Sequence, residues 1–505
     1  SPRCSRLRRD KAYGLRRSVQ GRRQCASVAY DSAFFAVDTR VVLVDRGSLS
    51  AARRSRSHTE NLILSAIHRR PVRLLRLASL CLVLATGCSS SLEQAARSEI
   101  NSRPLAPAPE PRGSSTFDGS LAQYVGYALR RSPALRARHA DWRAAMTRID
   151  QAKRLPEPTL MYTAFIRRVE TRVGPQRHIF GLTQRFPWPT KLTRGAEAAS
   201  LAARAKAQSL DAAALVVTRR IAQVFWELWL VENERRVLTE QKLLLGTLAI
   251  AAETRLEIGK ATLADLSHAH LTIAQLGDRV ASLAARKAMA QARLRGLLDV
   301  EAHVALPVAT AAPVVALPAE KLADLRAAAK LTPDAAALGL MATSRDRAAD
   351  QASAEGMPGF SVGLTYIEIG PAANPAADDS GKDAVSVTVG LSLPLWRHVY
   401  GAKRKQMLAE SQGFKLRRQA RERQSVSDLD VTLAAITDTH RRARLYRTTL
   451  IAQAETVYES TLGGYQTGSS AVSQVLLAQR ALLELQLGLF RAAAKHAKAW
   501  ARLEE

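Results

Sequence analysis

The sequence predicts a mostly α-helical chain that carries four β-strands and is built from two similar halves. Three observations support this fold class. Apolar side chains recur every seven residues between 190 and 258, as in helices that pack side by side over a long distance. Residues 384–393 alternate between apolar and small polar side chains, as in a strand with one apolar face. Prolines and glycines in matching surroundings recur about 200 residues apart, as in an internal repeat.

The composition excludes several function classes. Of the 505 residues, 47% are hydrophobic and only 5% aromatic, and the formal net charge is +29. Such a charge raises the question of nucleic-acid binding, but the basic residues form no stripe interleaved with aromatic residues, so nucleic acid is not an expected partner. The sequence also lacks P-loop, G-x-S-x-G and H-E-x-x-H motifs. We therefore expect no catalytic residue and no enzyme activity.

The cysteines are confined to the N-terminal part of the chain, at Cys4, Cys25, Cys81 and Cys88. The rest of the sequence therefore holds neither a disulfide framework nor a cysteine metal cluster. It also lacks a ladder of histidines or methionines, so we predict no metal site and no cofactor.

Residues 69–88 have the pattern of a secretory signal. Four arginines precede an apolar run, 77–85, that is shorter than the roughly 20 residues of a membrane-spanning helix. The following LATGC resembles the lipobox of bacterial lipoproteins, which implies acylation of Cys88 and sorting to the outer membrane. An ordinary signal followed by a chance cysteine is the alternative. We expect three N-terminal segments: a basic, non-periodic extension outside the mature protein (1–68), a signal peptide (69–87), and an acylated N-terminus with a Pro-rich linker (88–116).

The first half, 117–317, is predicted to run helix, strand, strand, long helix, turn, helix. Its opening helix ends before Pro158, and strands are expected at 159–166 and 178–186. A long helix then spans about 190–258, roughly 100 Å if continuous. It ends at a turn around Gly259, because glycine readily adopts the left-handed conformation that terminates a helix. Thr262 is placed to cap the next helix.

The second half, 318–505, is predicted to repeat this order. It has an opening helix at about 320–354, strands at 360–369 and 384–393, a long helix at about 398–462, and a turn at Gly468 with Ser470 as the next cap. In both strands valine, leucine and aromatic residues occupy one face. Small polar residues occupy the other face, among them Ser361, Thr365, Ser386, Thr388 and Ser392.

This order of elements, over about residues 117–502, resembles the TolC-type outer-membrane efflux proteins. The stretch ALRRSPALRARHADWRAAMTRIDQAKRLPEPTL resembles the family's first helix and its entry into the barrel. RFPWPTKLTRG resembles the barrel exit, especially in the heavy-metal efflux branch, and RLEIGKATLADL and GYQTGSSAVSQVLLAQ resemble the two tip turns. The resemblance implies that three chains each lend four strands to one twelve-stranded outer-membrane barrel, which a long α-helical barrel continues into the periplasm.

The physics of membranes agrees with a shared barrel. An open sheet edge cannot face lipid, because its backbone N–H and C=O groups would have no partners. Two hairpins cannot close around a wide pore alone, so strands must be shared between chains, and twelve is a reasonable even number. Strands of about 9–11 residues match the tilted span of a bilayer.

The resemblance implies the exit duct of a tripartite efflux system. Such a duct conducts passively, as a homotrimer in outer-membrane lipid, and its partners are a periplasmic adaptor (membrane fusion) protein and an inner-membrane pump. The small polar residues Ser361, Thr365, Ser386, Thr388 and Ser392 are expected to line the barrel lumen. The expected adaptor-contact tips are Ile258, Gly259, Lys260, Thr262, Gln466, Thr467, Gly468 and Ser469. Asp265 is the acidic candidate for a periplasmic gate.

Several alternatives stay open at this point. The two tip glycines could simply end helices. The same scaffold could serve type I protein secretion, although the RFPWPTKL stretch favours efflux, with metal cations as a candidate cargo. A periplasmic adaptor or structural lipoprotein would have one helical hairpin flanked by β-domains and no duplicated strand pair. A cytosolic coiled coil disagrees with the signal and with the four strands.

Overall fold

The computed structural model describes residues 90–103, 116–308, 311–374 and 376–504. The predicted extension, signal peptide and Cys88 lie outside the described residues, as does most of the Pro-rich linker. The helices are α1 (Ser91–Ser102), α2 (Leu121–Arg131), α3 (Pro133–Lys153), α4 (Pro189–Glu257), α5 (Leu263–Leu298), α6 (Leu322–Ala328), α7 (Pro333–Glu355), α8 (Arg397–Leu445), α9 (Ile451–Thr467) and α10 (Val472–Leu503). The strands are β1 (Thr159–Val169), β2 (Gln176–Phe186), β3 (Gly359–Ile369) and β4 (Ala384–Ser392).

Prolines set the start of three helices. Pro133, Pro189 and Pro333 occupy the first turns of α3, α4 and α7, where a missing N–H costs nothing because that N–H has no helical partner. The sequence predicted one opening helix in each half, 119–154 and about 320–354, and this is wrong. The structure divides each at its proline, because proline fits the first turn of a helix but not its interior.

Helix α4 is continuous over 69 residues, which corresponds to about 100 Å. Its seven-residue apolar pattern faces the interior. Five of the seven predicted positions are buried and two are half-buried, since Leu210 and Val224 lie at the margin of the core. The buried five are Val217, Val231, Leu238, Leu245 and Ala252. The heptad pattern therefore predicted both the length and the packing face of this helix.

The second long helix is interrupted, which the sequence pattern did not predict. A π-helical turn, Tyr446–Leu450, separates α8 from α9. Tyr446 lies against Gly488 of α10, where an added Cβ would be only 3.1 Å from the tyrosine ring. The absent side chain at Gly488 leaves room for this ring, and a π-turn is the usual way in which a helix takes up one extra residue.

The strands form one antiparallel sheet in the order β1-β2-β3-β4. The pairing of β2 with β3 joins the two predicted hairpins, with Phe186 opposite Phe360 at one end and Gln176 opposite Ile369 at the other. All four predicted strands exist, and β1 and β2 are longer than the alternation indicated. The register skips between Ala164 and Val169, so the intervening residues of β1 form a bulge at the end of the sheet away from the helices.

Alanine dominates the packing next to the sheet. Trp142 of α3 is fully buried against Ala196, Ala203 and Ala207 of α4. On another side of α4, the Ser344 hydroxyl of α7 donates to the carbonyl of Ala198 at 2.7 Å. Small side chains allow this close approach of helices. Among the helices that the structure describes, none is both long and apolar enough to cross a lipid bilayer.

A network of charged side chains ties α4, α5 and α10 together. Glu234 of α4 is 3% exposed, and it accepts from Arg286 of α5 at 3.1 Å and from Arg491 of α10 at 2.6 Å. Glu227 pairs with Arg286 and Lys498, and Glu232 pairs with Arg235 and Lys287. Because a nearly buried carboxylate is costly unless paired, these contacts fix how the three helices pack.

Acid is expected to loosen this part of the fold. Hydrogen bonds from Arg235 and Lys287 lower the pKa of Glu232 from 4.5 to about 2. Burial alone would raise the pKa of Glu227, but Lys498 and Arg286 lower it overall. A carboxylate whose pKa is lower in the folded state stabilises that state above the unfolded pKa, and this stabilisation is lost as the pH falls through the folded value. The midpoint of thermal unfolding, followed by helical circular dichroism, should therefore drop between about pH 4.5 and pH 2.

The double variant Glu227→Gln, Glu232→Gln is the control for this pH dependence. It should unfold at a lower temperature than the parent protein at pH 7, and its unfolding temperature should fall less on acidification. An equally steep fall in the variant would show that other groups control the acid sensitivity.

Candidate channel wall and tip turns

One face of the sheet is mostly apolar across all four strands, with Gln184 of β2 as a polar side chain next to Val362. The register aligns Leu160, Leu182, Leu364 and Val387 in one row. All four side chains are about half exposed or more, with Val387 at 70% and Leu160 at 75%. Val362 and Val389 lie next to each other in a neighbouring row of the same face. A continuous exposed apolar surface of this kind marks contact with lipid or with another protein.

Aromatic side chains border this apolar face at both ends. One row aligns Tyr162, Phe180 and Tyr366, with ring centroids 5.1 and 6.3 Å apart. The other row pairs Phe186 with Phe360, and Trp188 lies 6.2 Å from the Phe360 ring. The six residues from Phe180 to Phe186 separate the rows by about 20 Å. Aromatic girdles at a similar separation bound the apolar band of outer-membrane barrels, which is about 25 Å tall.

The opposite face carries small and polar side chains. Thr365 lies opposite Ser386, Gly363 opposite Thr388, Ser361 opposite Gly390, and Gly359 opposite Ser392. All five residues that the sequence assigned to the lumen are therefore on this one face, which we call the small polar face. It consists of the odd-numbered residues 359–367 of β3 and the even-numbered residues 384–392 of β4. The residues of β1 and β2 that are in register with them complete this face.

Four glycines of the strands, Gly181, Gly359, Gly363 and Gly390, all lie on the small polar face. An added Cβ at Gly390 would be 2.4 Å from the Ser361 hydroxyl, and one at Gly359 would be 2.9 Å from the Ser392 hydroxyl. Glycine inside a strand often marks a bend or a close approach of neighbouring groups. Such crowding is what the inner side of a curved sheet requires.

The first tip turn joins α4 to α5. Gly259 has a φ of +73°, and the N–H of Lys260 donates to the carbonyl of Arg255 at 2.8 Å. Thr262 caps α5 as predicted, because its hydroxyl accepts from the N–H of Asp265 at 3.2 Å. The Asp265 carboxylate in turn accepts from the N–H and the hydroxyl of Thr262. The structure thus gives Asp265 a capping role, and its role as a gate stays a prediction.

The second tip turn joins α9 to α10. Gly468 has a φ of +87°, and the N–H of Ser469 donates to the carbonyl of Gly464 at 2.8 Å. The prediction that Ser470 caps α10 is wrong. Ala471 occupies the cap position without a side-chain hydrogen bond, because the N–H of Ser470 is drawn back to Gly464 at 3.1 Å to complete the preceding turn.

Arg255 connects the two turns. Its guanidinium donates to the carbonyls of Tyr465 and Gln466 and lies 4.0 Å from the centroid of the Tyr465 ring. Tyr465 is buried with Ala252, Val472 and Val475, so the ends of the two helical hairpins share one small core. This contact was not predicted, because nothing in the local sequence indicates that Arg255 meets a backbone more than 200 residues away.

Comparisons with solved structures find channels of the outer membrane. The transmembrane channel CusC matches with a TM-score of 0.63 at 15% identity, over 79% of this chain and 96% of CusC. The outer-membrane protein VceC of Vibrio cholerae matches with a TM-score of 0.62 at 17% identity, over 76% and 94% of the two chains. The outer-membrane channel OprN matches with a TM-score of 0.61 at 18% identity, over 79% and 96%.

The chain has the fold of the TolC-type outer-membrane efflux channels. The likeness is carried by structure, since no protein-family model and no curated protein matches the sequence. The solved TolC-type neighbours are channels and not enzymes, which agrees with the expected lack of catalytic residues.

The predicted tip residues occupy the outer surface of the two turns. All eight are exposed: Ile258, Gly259, Lys260, Thr262, Gln466, Thr467, Gly468 and Ser469. Ile258 is a large apolar side chain with 61% exposure, and Leu263, at the start of α5, has 69%. The turns thus present backbone, small hydroxyls and two apolar side chains at one end of a long helical hairpin pair.

Arg255→Ala is expected to separate the two tips. The variant loses two charge-assisted hydrogen bonds and the contact with Tyr465, which together contribute about 2–4 kcal/mol to local stability. Amide hydrogen exchange at 465–468 should accelerate strongly, while exchange in α4 near Trp229 should stay unchanged. Arg255→Lys keeps the charge but not the paired geometry, so its effect should be intermediate. Unchanged exchange in both variants would show that the tips hold together without Arg255.

Proposed function

We propose that this chain forms, as a homotrimer, the outer-membrane channel of a tripartite efflux system. It conducts substrates passively from an inner-membrane pump and a periplasmic adaptor to the outside. The observation that carries this proposal is the sheet, which has an exposed apolar face between two aromatic rows and a small polar face opposite. The TolC-type fold supports the same function.

The trimer follows from the edges of the sheet. Among the described strands, β1 pairs only with β2 and β4 pairs only with β3. In lipid these two edges need partners, because unpaired backbone groups are costly there. We propose that β1 of one copy pairs with β4 of the next, which closes twelve strands from three copies. The two halves, 117–317 and 318–505, would then contribute alike as an internal repeat.

The proposed position in the cell envelope places the helices in the periplasm. The sheet spans the outer membrane, Cys88 carries the lipid anchor after removal of 69–87, and α4, α5, α8, α9 and α10 extend the channel inward. The tip turns around Gly259 and Gly468 contact the adaptor through their exposed surface. Asp265 remains the candidate for a gate at this end.

The cargo is the least constrained part of the proposal. The hypothesis that metal cations are the cargo depends on the RFPWPTKL stretch, which resembles the heavy-metal efflux branch. Among the residues that the structure describes, no three histidine, cysteine or acidic side chains are grouped to hold a metal ion. Deletion of the gene followed by growth on metal salts and on drugs distinguishes the two cargo classes. Secretion of a protein substrate would favour the type I alternative, which no observed feature supports over efflux.

Paired cysteine variants test which face meets water. The chain after Cys88 has no native cysteine, so labelling above the level of the parent protein comes from the added thiol. Leu364→Cys on the apolar face should resist a charged maleimide in intact membranes, and Thr365→Cys on the small polar face should react. Both should react after unfolding. Labelling of Leu364→Cys but not Thr365→Cys would reverse the assignment of the two faces.

A further inference from the structure

Arg185 is the one charged side chain held in register on the small polar face, among the residues that the structure describes. Its partners across the sheet are Ser361 on β3 and, one strand further, Gly390 on β4. The other residues of this face in register are threonine, serine, glycine, alanine, isoleucine and methionine. An arginine among such small neighbours has free space around its guanidinium.

The guanidinium of Arg185 is exposed and has no ion pair with a described carboxylate. Glu157 lies just before β1, the strand next to β2, but its carboxylate pairs with Arg154 at 3.2 Å. Glu355, at the end of α7, pairs with Lys403 at 2.7 Å. The positive charge of Arg185 is therefore not neutralised by a side-chain partner among the described residues.

Arg185 precedes Phe186, which belongs to the aromatic row on the helix side of the sheet. Arg185 itself lies on the small polar face, at the end of the sheet where β2 leads into α4 and β4 leads into α8. In a closed barrel this is the point at which the lumen meets the helical part of the channel.

The acidic residues in and near the sheet lie away from Arg185. Glu368 of β3 is in register with His178, which places it on the opposite face at the far end of the sheet. Three acidic residues of the neighbouring loops have partners. Asp383 accepts from the hydroxyl of Tyr366 and from the N–H of Ile369, and Asp379 pairs with Lys382. Glu170 accepts from the N–H of Ala373 at 3.0 Å. These carboxylates belong to the two loops at the far end of the sheet, where they hold the loop backbone. They do not offset Arg185 on the small polar face.

We propose that Arg185 forms a ring of three positive charges in the barrel lumen and makes the channel prefer anionic solutes. This inference rests on the proposed trimeric channel. Rings of charged side chains set the selectivity of pores, and basic rings favour anions. Fixed positive charge also raises the local concentration of anions in a narrow water-filled space. The favoured cargo is therefore an anionic solute, and a free metal cation must pass the ring against repulsion.

The reversal potential of the purified full-length channel in a planar bilayer tests this inference. Under a potassium chloride gradient, the reversal potential of the parent channel should lie closer to the equilibrium potential of chloride than to that of potassium. Arg185→Gln should move the permeability ratio of chloride to potassium toward one, Arg185→Glu should bring it below one, and Arg185→Lys should keep the preference. Lys330→Gln, which removes an exposed positive charge from the turn between α6 and α7, outside the sheet, is the control and should leave the ratio unchanged.

The outcomes separate this inference from the proposed function. A conducting trimer that prefers potassium, or one in which Arg185→Gln leaves the ratio unchanged, overturns the role of Arg185 and leaves the channel standing. A trimer that never conducts contradicts the channel itself. The oligomeric mass of each variant, measured in the same detergent, shows that the altered ratio comes from an assembled channel.

Discussion

Val387→Arg is expected to abolish assembly in the outer membrane. Val387 lies in one of the two rows of the apolar face between the aromatic rows, and is 70% exposed. An arginine on the lipid face near the bilayer midplane costs about 2–4 kcal/mol per copy. Three copies in one barrel multiply that cost, which then matches the whole stability of a typical protein, about 5–15 kcal/mol.

Thr388→Arg is the matched control, because it is the next residue of the same strand and lies on the small polar face. An arginine there would extend into water, so this variant should assemble at a level near that of the parent. Heat-modifiable trimers in isolated outer membranes provide the measurement. If both variants assembled equally well, or if only Thr388→Arg failed, the apolar face would not face lipid.

Gly468→Pro is expected to end coupling to the adaptor while the trimer persists. Gly468 has a φ of +87°, which proline cannot adopt because its ring fixes φ near about −65°. The substitution also removes the N–H that donates to the carbonyl of Tyr465 at 3.1 Å. The turn, and with it the exposed surface from Gln466 to Ser469, should lose its shape. The sheet is far along the chain from this turn and should be unaffected.

Gly468→Asn separates the conformation from the mere presence of a side chain. Asparagine tolerates the left-handed region better than other residues, and an added Cβ at this position meets no neighbour. This variant should keep adaptor binding, measured by co-purification of the adaptor with the channel, and efflux should follow. Loss of the trimer in Gly468→Pro would instead show that the glycine serves folding.

The strands and long helices could be predicted because their signals are local. Alternation over 384–393 predicted β4, and a seven-residue period predicted α4 and its buried positions. The same alternation placed Ser386 and Thr388 on one face. It could not show that Ser361 and Thr365 share that face across the sheet, because this depends on the register between strands.

The features that the sequence did not predict depend on contacts between distant segments. The π-turn at Tyr446 reflects the missing side chain of Gly488, 42 positions later in the chain. The contact of Arg255 with Tyr465 joins two hairpins through a backbone carbonyl, which carries no side-chain signature. The failed cap at Ser470 has a local cause instead, since Ser470 still belongs to the preceding turn and α10 begins one residue later, with Ala471 at the cap position.

Single-channel recording of the purified, full-length protein, with its oligomeric mass measured in the same detergent, tests the central claim most directly. The account predicts a particle of three chains that opens a water-filled pore in a planar bilayer. A monomer that produces no conductance in the bilayer would contradict it.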